Sequence, residues 1–299
     1  MEMRQLGNTD MYVSILGFGG VEIQDSSEAE AEQLLHSALD AGLNVIDTAE
    51  CYGDSEEKIG RALATRRNDY YLFTKCGHAV GDELPNLPDW NPHLLEASIE
   101  RSLRRLRTDH IDLIQLHSCS LDVLRHGDVI NVLEKARRAG KARYIGYSGD
   151  NEDARYAIRT GVFDTLQTSI SIADQQEIDF TLPMARERNM GVIAKRPVAN
   201  VAWKESTMPK SAYGYPYWER LQTLKYDFLQ DDLDTAVSTA LRFTLSVPGV
   251  HTAIVGTKNP AHWQRNAAQL DAGLLSQEQF DAIRARWEER SDPHWLGQI

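Results

Sequence analysis

This chain predicts an α/β fold, a (β/α)8 barrel of TIM type with extended loops at the C-terminal face of its strands. Three observations carry the prediction. Short apolar runs alternate with amphipathic helical stretches, the alternation occurs eight times, and no linker or low-complexity segment interrupts it. The 299 residues suit one such barrel, because α/β barrels commonly run to roughly 250 residues as a unit. Residues 1–299 are therefore expected to form a single domain.

The first unit is the apolar run Val13 to Phe18, ending among Gly17, Gly19 and Gly20, followed by Ser27 to Ala41 with early acids and helical spacing. Val45 to Asp47 precedes Ser55 to Ala64, Tyr71 to Lys75 precedes Pro92 to Leu106, and Ile111 to His117 precedes Val129 to Ala139. The second half repeats the pattern: Ala142 to Ser148 with Glu152 to Thr160, Thr165 to Ser169 with Ile178 to Arg188, Gly191 to Lys195 with Leu233 to Leu245, and Thr252 to Val255 with Pro260 to Leu270. Continuous apolar strands separated by helices read as a parallel sheet buried on both faces, and eight repeats can close it.

Two insertions, Gly77 to Asn91 and Val198 to Asp232, both follow strands and so belong to the rim where barrel active sites lie. They carry Trp90 in the first and Trp203, Tyr213, Tyr215, Tyr217 and Trp218 in the second, the expected wall of a substrate pocket. A doubly wound dinucleotide fold fits less well. After Gly17 and Gly19 the third glycine of its fingerprint would fall at Glu22, where an acid would face the pyrophosphate.

Composition narrows the partners. Lys and Arg number 32 against 44 Asp and Glu, a formal charge of -12, so the average field repels nucleic acid and anionic lipid. A small phosphate can still bind a local basic cluster, since screening limits distant acids to about 10 Å. The amino-terminal residues carry no apolar signal region, and no stretch reaches the roughly 20 apolar residues of a membrane span. Three cysteines, Cys51, Cys76 and Cys119, suit a reducing compartment, and a cytoplasmic location is expected.

Asp47, Tyr52, Lys75 and His117 lie at or just past strands two, three and four, so one end of the barrel would gather them. Free tyrosine has a pKa near 10 and donates protons poorly. A Lys75 ammonium beside Tyr52 would ease proton release, Asp47 would hold Lys75 charged and aimed, and His117 would orient a carbonyl or relay the proton. Donors placed where negative charge builds during hydride arrival lower the barrier, and the hydride requires a nicotinamide carrier.

The stretch Asn44-Val45-Ile46-Asp47-Thr48-Ala49-Glu50-Cys51-Tyr52-Gly53, with Ser55-Glu56-Glu57 and Ile59-Gly60, resembles the D-T-A-x-x-Y-G-x-S-E signature of the aldo-keto reductase superfamily. Phe73-Thr74-Lys75 and Ile114-Gln115-Leu116-His117 resemble the segments carrying its lysine and histidine, and the similarity runs from about Arg4 to Leu270. The resemblance implies an NADPH-dependent reductase of a small carbonyl compound, with Tyr52 as acid, Lys75 and Asp47 as its tuners and His117 as the orienting residue. NADH is the other cofactor it admits.

By position, the resemblance assigns Ser148 and Gln167 to the cofactor carboxamide and has Gly19 and Gly20 approach the cofactor. The resemblance implies that Asp47 is both catalytic and a cofactor neighbour, and that Gly256-Thr257-Lys258 with His262 and Asn266 would surround the adenosine phosphates. Asn259-Pro260 opens the following helix, whose N-terminus favours anions. Gly149 stands where the family often has Asn, and Ala194-Lys195-Arg196-Pro197 stands where an aromatic ring often stacks on the nicotinamide. Lys195 and Arg196 are thus expected to contact phosphate or ribose. His262 replaces a common arginine, leaving Lys258 as the cation for a 2′-phosphate.

Two other readings follow from the same residues. Cys76 with His78 and His117 with Cys119 place thiols and imidazoles near one rim, but such spacings are weak zinc signals and no metal is expected. The other is a non-catalytic nicotinamide-nucleotide sensor, which would bind cofactor without turnover.

Overall fold

A computed structural model describes residues 1–81, 84 and 86–298; positions 82, 83 and 85 of the first rim insertion and position 299 lie outside the described residues. The chain opens with strands β1 (Met3–Gln5) and β2 (Tyr12–Ser14), then runs through β3 (Leu16–Gly19), α1 (Glu28–Asp40), β4 (Val45–Asp47), α2 (Ser55–Ala62), β5 (Tyr71–Cys76) and α3 (Pro92–Arg105). It continues with β6 (Ile111–His117), α4 (Leu121–His126), α5 (Asp128–Arg138), β7 (Ala142–Ser148), α6 (Asn151–Thr160), β8 (Thr165–Ser169), α7 (Gln176–Phe180) and α8 (Leu182–Glu187). The last elements are β9 (Gly191–Lys195), α9 (Tyr215–Leu224), α10 (Leu233–Ser246), β10 (Thr252–Val255), α11 (Ala261–Leu270) and α12 (Gln277–Arg290). Strands β3 to β10 form a closed barrel, all neighbours parallel, with β10 pairing both β9 and β3. The expected (β/α)8 class is the one observed.

Helix starts follow sequence signals. Ser27 and Glu30 form a reciprocal capping box on α1, Asn91 caps α3 ahead of Pro92, and Asp232 caps α10. Each cap satisfies amide groups that the first helical turn cannot pair internally.

The expected single strand Val13 to Phe18 is instead two. Tyr12–Ser14 pairs antiparallel with Met3–Gln5, and only Leu16–Gly19 enters the barrel. Periodicity missed the break because both pieces are buried, although on different partners. Leu6, Met11 and Val13 of the hairpin pack against Val45, Phe73, Leu113, Ile193 and Ile254, a cluster separate from the larger core. Burying each such side chain stabilises by roughly 1.5–3 kcal/mol. Gly7, at φ +56, lies so close to the start of β9 that a Cβ there would sit 2.2 Å from the Gly191 amide nitrogen. The hairpin therefore plugs the end where strands begin and leaves the opposite mouth for chemistry.

Ile178 to Arg188 is likewise not one helix. Thr181 separates α7 from α8, and Pro183 stands in the first turn of α8, where its missing amide proton is tolerated. The second insertion contains α9, and α12 adds a carboxy-terminal helix beyond the eight repeats. No described helix is long and apolar enough to cross a membrane.

Candidate active site

The signature segment is built as a turn that carries Tyr52 away from β4. Thr48 and Glu50 donate backbone bonds to Phe73 and Lys75 carbonyls, Tyr52 donates to the Ala49 carbonyl, and Gly53 takes φ +52. Ser55 donates to the Gly20 carbonyl at 2.8 Å and lies 2.9 Å from the Thr48 hydroxyl, which ties α2 to two strand ends. Glu56 is buried and accepts from Thr74 at 2.7 Å. Much of the signature thus anchors the turn, which leaves Asp47 and Tyr52 as its candidates for chemistry.

Parallel register brings the strand ends level. Gly19 pairs with Asp47, His117 with Ser148, and Ser148 with Gln167, while Lys195 lies opposite Ser169 and Ile254. Lys75 Nζ donates to Asp47 Oδ2 at 2.6 Å and to the Thr48 carbonyl at 2.9 Å, with both charged groups buried. The same Nζ stands 5.3 Å from the Tyr52 ring centre, and that ring meets His117 edge-on at 5.9 Å. Tyr52, Lys75, Asp47 and His117 are therefore together, and the Tyr52 hydroxyl makes no hydrogen bond to described residues.

Burial raises the Tyr52 pKa above that of ordinary tyrosine, with the Lys75 charge working against it. Burial also disfavours the Lys75 ammonium, but Asp47 and Tyr52 outweigh it and hold the pKa above that of ordinary lysine. His117 is pushed well below the usual imidazole range, first by burial and then by Lys75, His78, Lys195 and Arg196. At neutral pH the site holds a phenol, an ammonium and a neutral imidazole.

Other expected residues gather in two groups. Ser148 and Gln167 are buried at the mouth; Gln167 Oε1 accepts from Gln115 at 3.3 Å, while its amide nitrogen and the Ser148 hydroxyl make no hydrogen bond to described residues. Gly19 approaches Gly256, where a Cβ on Gly19 would lie 3.4 Å from the Gly256 amide nitrogen. Thr257 pairs with His262 at 2.8 Å, Asn259 caps the start of α11 through Ala261, Asn266 is buried beneath, and Lys258 is exposed. Glu22 packs against Gly256, so this acid does stand beside the candidate phosphate site.

The cations after β9 are more committed than their sequence suggests. Lys195, partly exposed, pairs with buried Asp150 at 2.8 Å. Asp150 also accepts from Thr168 and Ser169, and it was not singled out from the sequence. Arg196, at φ +56, donates to Ser169 at 2.9 Å, to Tyr213 and to the Gln298 carbonyl, so the carboxy-terminal strand of chain lies on it. Pro197 is buried and its carbonyl accepts from Thr244.

The aromatic rim divides. Tyr217 is not a pocket wall, since it is fully buried with its hydroxyl 3.3 Å from Asp174; α9 turns that face inward. Trp218 packs at a tilt against Tyr215 and donates to the Glu205 carbonyl, Tyr213 is exposed, and Trp90 packs edge-on to His78. Cys76 and Cys119 are buried, and among the described residues no three His, Cys, Asp or Glu side chains converge as a metal set. Cys51 is the sulfur beside His117, at 3.4 Å from Nδ1.

A closed parallel barrel whose C-terminal mouth joins a phenol, a carboxylate-held ammonium and a neutral imidazole defines a class, the barrel oxidoreductases that work on carbonyl and alcohol groups with a nicotinamide. The chain belongs to the aldo/keto reductase family, whose model matches residues 15–288. It is 27% identical to L-galactose dehydrogenase of Arabidopsis thaliana over 100% of this chain and 98% of that one. It is 36% identical to 6-dehydroglucose reductase of Novosphingobium aromaticivorans over 56% of this chain and 57% of that one. Among solved structures it is similar to an aldo-keto reductase of Bacillus halodurans in its holo form, with TM-score 0.86, 26% identity and 99% of each chain covered. The protein is an NAD(P)H-dependent oxidoreductase.

Proposed function

We propose that the chain reduces an aldehyde or ketone to an alcohol with NADPH as the preferred cofactor and Tyr52 as general acid. The observation that carries this reading is the Lys75 ammonium, fixed by Asp47 at 2.6 Å and standing 5.3 Å from the Tyr52 ring. When bound, the nicotinamide supplies the hydride. His117, neutral, orients the carbonyl by donating from Nε2, and Tyr52 passes its proton to the carbonyl oxygen as negative charge builds there. Lys75 stabilises the phenolate left behind.

The residues present fit such a cofactor. Buried Asp47 Oδ1 has no partner and suits a ribose hydroxyl, while the Ser148 hydroxyl and Gln167 amide nitrogen suit a carboxamide. Gly19, Gly20 and Pro197 would frame it, and Lys195 and Arg196 would reach it only beside Asp150 and the carboxy-terminal segment that already hold them. Gly256, Thr257, Lys258, His262 and Asn266 take the adenosine phosphates, with exposed Lys258 favouring NADPH over NADH.

The test is NADPH consumption with a panel of aldehydes, ketones and sugars, comparing wild type with Tyr52→Phe. General acid catalysis predicts a loss of about 10²–10⁴-fold in kcat with cofactor binding retained. Equal rates end the assignment, and tight NADPH binding without turnover on any carbonyl establishes the sensor reading instead.

A further inference from the structure

The first rim insertion folds back so that its own carboxylate grips its own imidazole. His78 Nδ1 lies 2.9 Å from Asp89 Oδ2, and the other Asp89 oxygen accepts from the Ala79 amide at 2.7 Å. The His78 amide donates to Glu50 at 2.8 Å, and Trp90 donates its amide to the Gly77 carbonyl at 2.9 Å. The His78 end of the loop is therefore pinned to the turn that carries Tyr52, and the Trp90 end is pinned to the His78 end through Gly77. The His78 ring sits edge-on to His117 at 5.3 Å and to Trp90 at 5.2 Å, with its side chain 30% exposed.

A carboxylate that accepts at Nδ1 fixes the proton there, so the neutral ring leaves Nε2 as an acceptor. Among the described residues Nε2 has no partner. A partly exposed imidazole in contact with the residue that orients the carbonyl, held by a carboxylate and with one open nitrogen, is poorly matched to an apolar substrate. It is well matched to a hydroxyl a few carbons from the reacting carbonyl.

We infer that His78, positioned by Asp89, is a specificity-determining residue that accepts a hydrogen bond from a substrate hydroxyl, so that the substrate class is hydroxyaldehydes and hydroxyketones. The inference rests on the carbonyl-reductase reading above and deepens it. Trp90, against the same ring, offers an apolar face on which a carbon skeleton with hydroxyls on one side can lie.

The experiment compares D-glyceraldehyde with propanal, which differ in hydroxyl content, using NADPH. Wild type is expected to favour glyceraldehyde in kcat/KM by about tenfold or more, because a site built to hold a hydroxyl discriminates against its absence. In His78→Phe the glyceraldehyde-to-propanal ratio falls towards one. His78→Gln, whose amide reaches a similar position, recovers part of the ratio, and Asp89→Asn loses part of it. NADPH binding, read by quenching of protein fluorescence, confirms a folded site in each variant. A wild type with no preference, or a ratio unchanged in both His78 variants, overturns the inference while leaving carbonyl reduction standing. A wild type that binds NADPH and reduces neither aldehyde overturns both.

Discussion

Cys51 Sγ lies 3.4 Å from His117 Nδ1, on the side of the ring opposite Nε2. Burial, aided by Glu50, pushes the Cys51 thiol up to about 11, so at neutral pH it is S–H and donates. With the thiol as donor, His117 accepts at Nδ1 and presents Nε2–H to the mouth. That proton position is the one the proposed orientation of a carbonyl by His117 needs.

Replacing that donor should release the tautomer. Cys51→Ala is expected to lower kcat about three- to tenfold, the scale of one weak hydrogen bond, while Cys51→Ser, which keeps a donor, stays nearer wild type. Nitrogen chemical shifts of His117 provide the check: the Nε2–H form should dominate in wild type and lose ground in the alanine variant.

The buried Lys75 and Asp47 pair invites a double-mutant cycle. Asp47→Asn strands an ammonium and Lys75→Met strands a carboxylate, and breaking a buried pair from one side costs about 3–5 kcal/mol. The double variant should recover stability in thermal melts relative to either single variant and yet regain no activity. Additive losses of stability would contradict the pairing.

Glu50 supplies a pH-dependent prediction. Burial, reinforced by Glu56, raises its pKa to about 8, and one of its oxygens has no partner. The unfolded carboxyl titrates near 4.5, so the folded state holds the extra proton between there and about 8. Its contribution is fully present below the unfolded value and is lost as pH rises through the folded one. Glu50→Gln should therefore gain melting temperature relative to wild type between pH 5 and pH 9. A constant difference across that range would contradict it.

Lys258 tests the cofactor preference. If its ammonium meets a 2′-phosphate, Lys258→Ala should weaken NADPH binding by about ten- to a hundredfold and leave NADH within roughly twofold, since a charge-assisted bond is lost with only one of them. The comparison is a pair of fluorescence titrations. Equal weakening would assign Lys258 to the phosphates that the two cofactors share.

The amino-acid sequence by itself determined the barrel and the four residues Asp47, Tyr52, Lys75 and His117, because strand ends of a parallel barrel all open at one mouth. Their identities and their distance past each strand were enough to place them together. Only the tertiary structure decided what those residues lean on. The hairpin that plugs the far end, the Asp150 partner of Lys195, the thiol behind His117 and the inward turn of Tyr217 all depend on contacts between segments distant in sequence. Periodicity reports which side of an element is apolar, not which neighbour will meet it; a buried strand outside the barrel and a buried strand within it carry the same apolar signal.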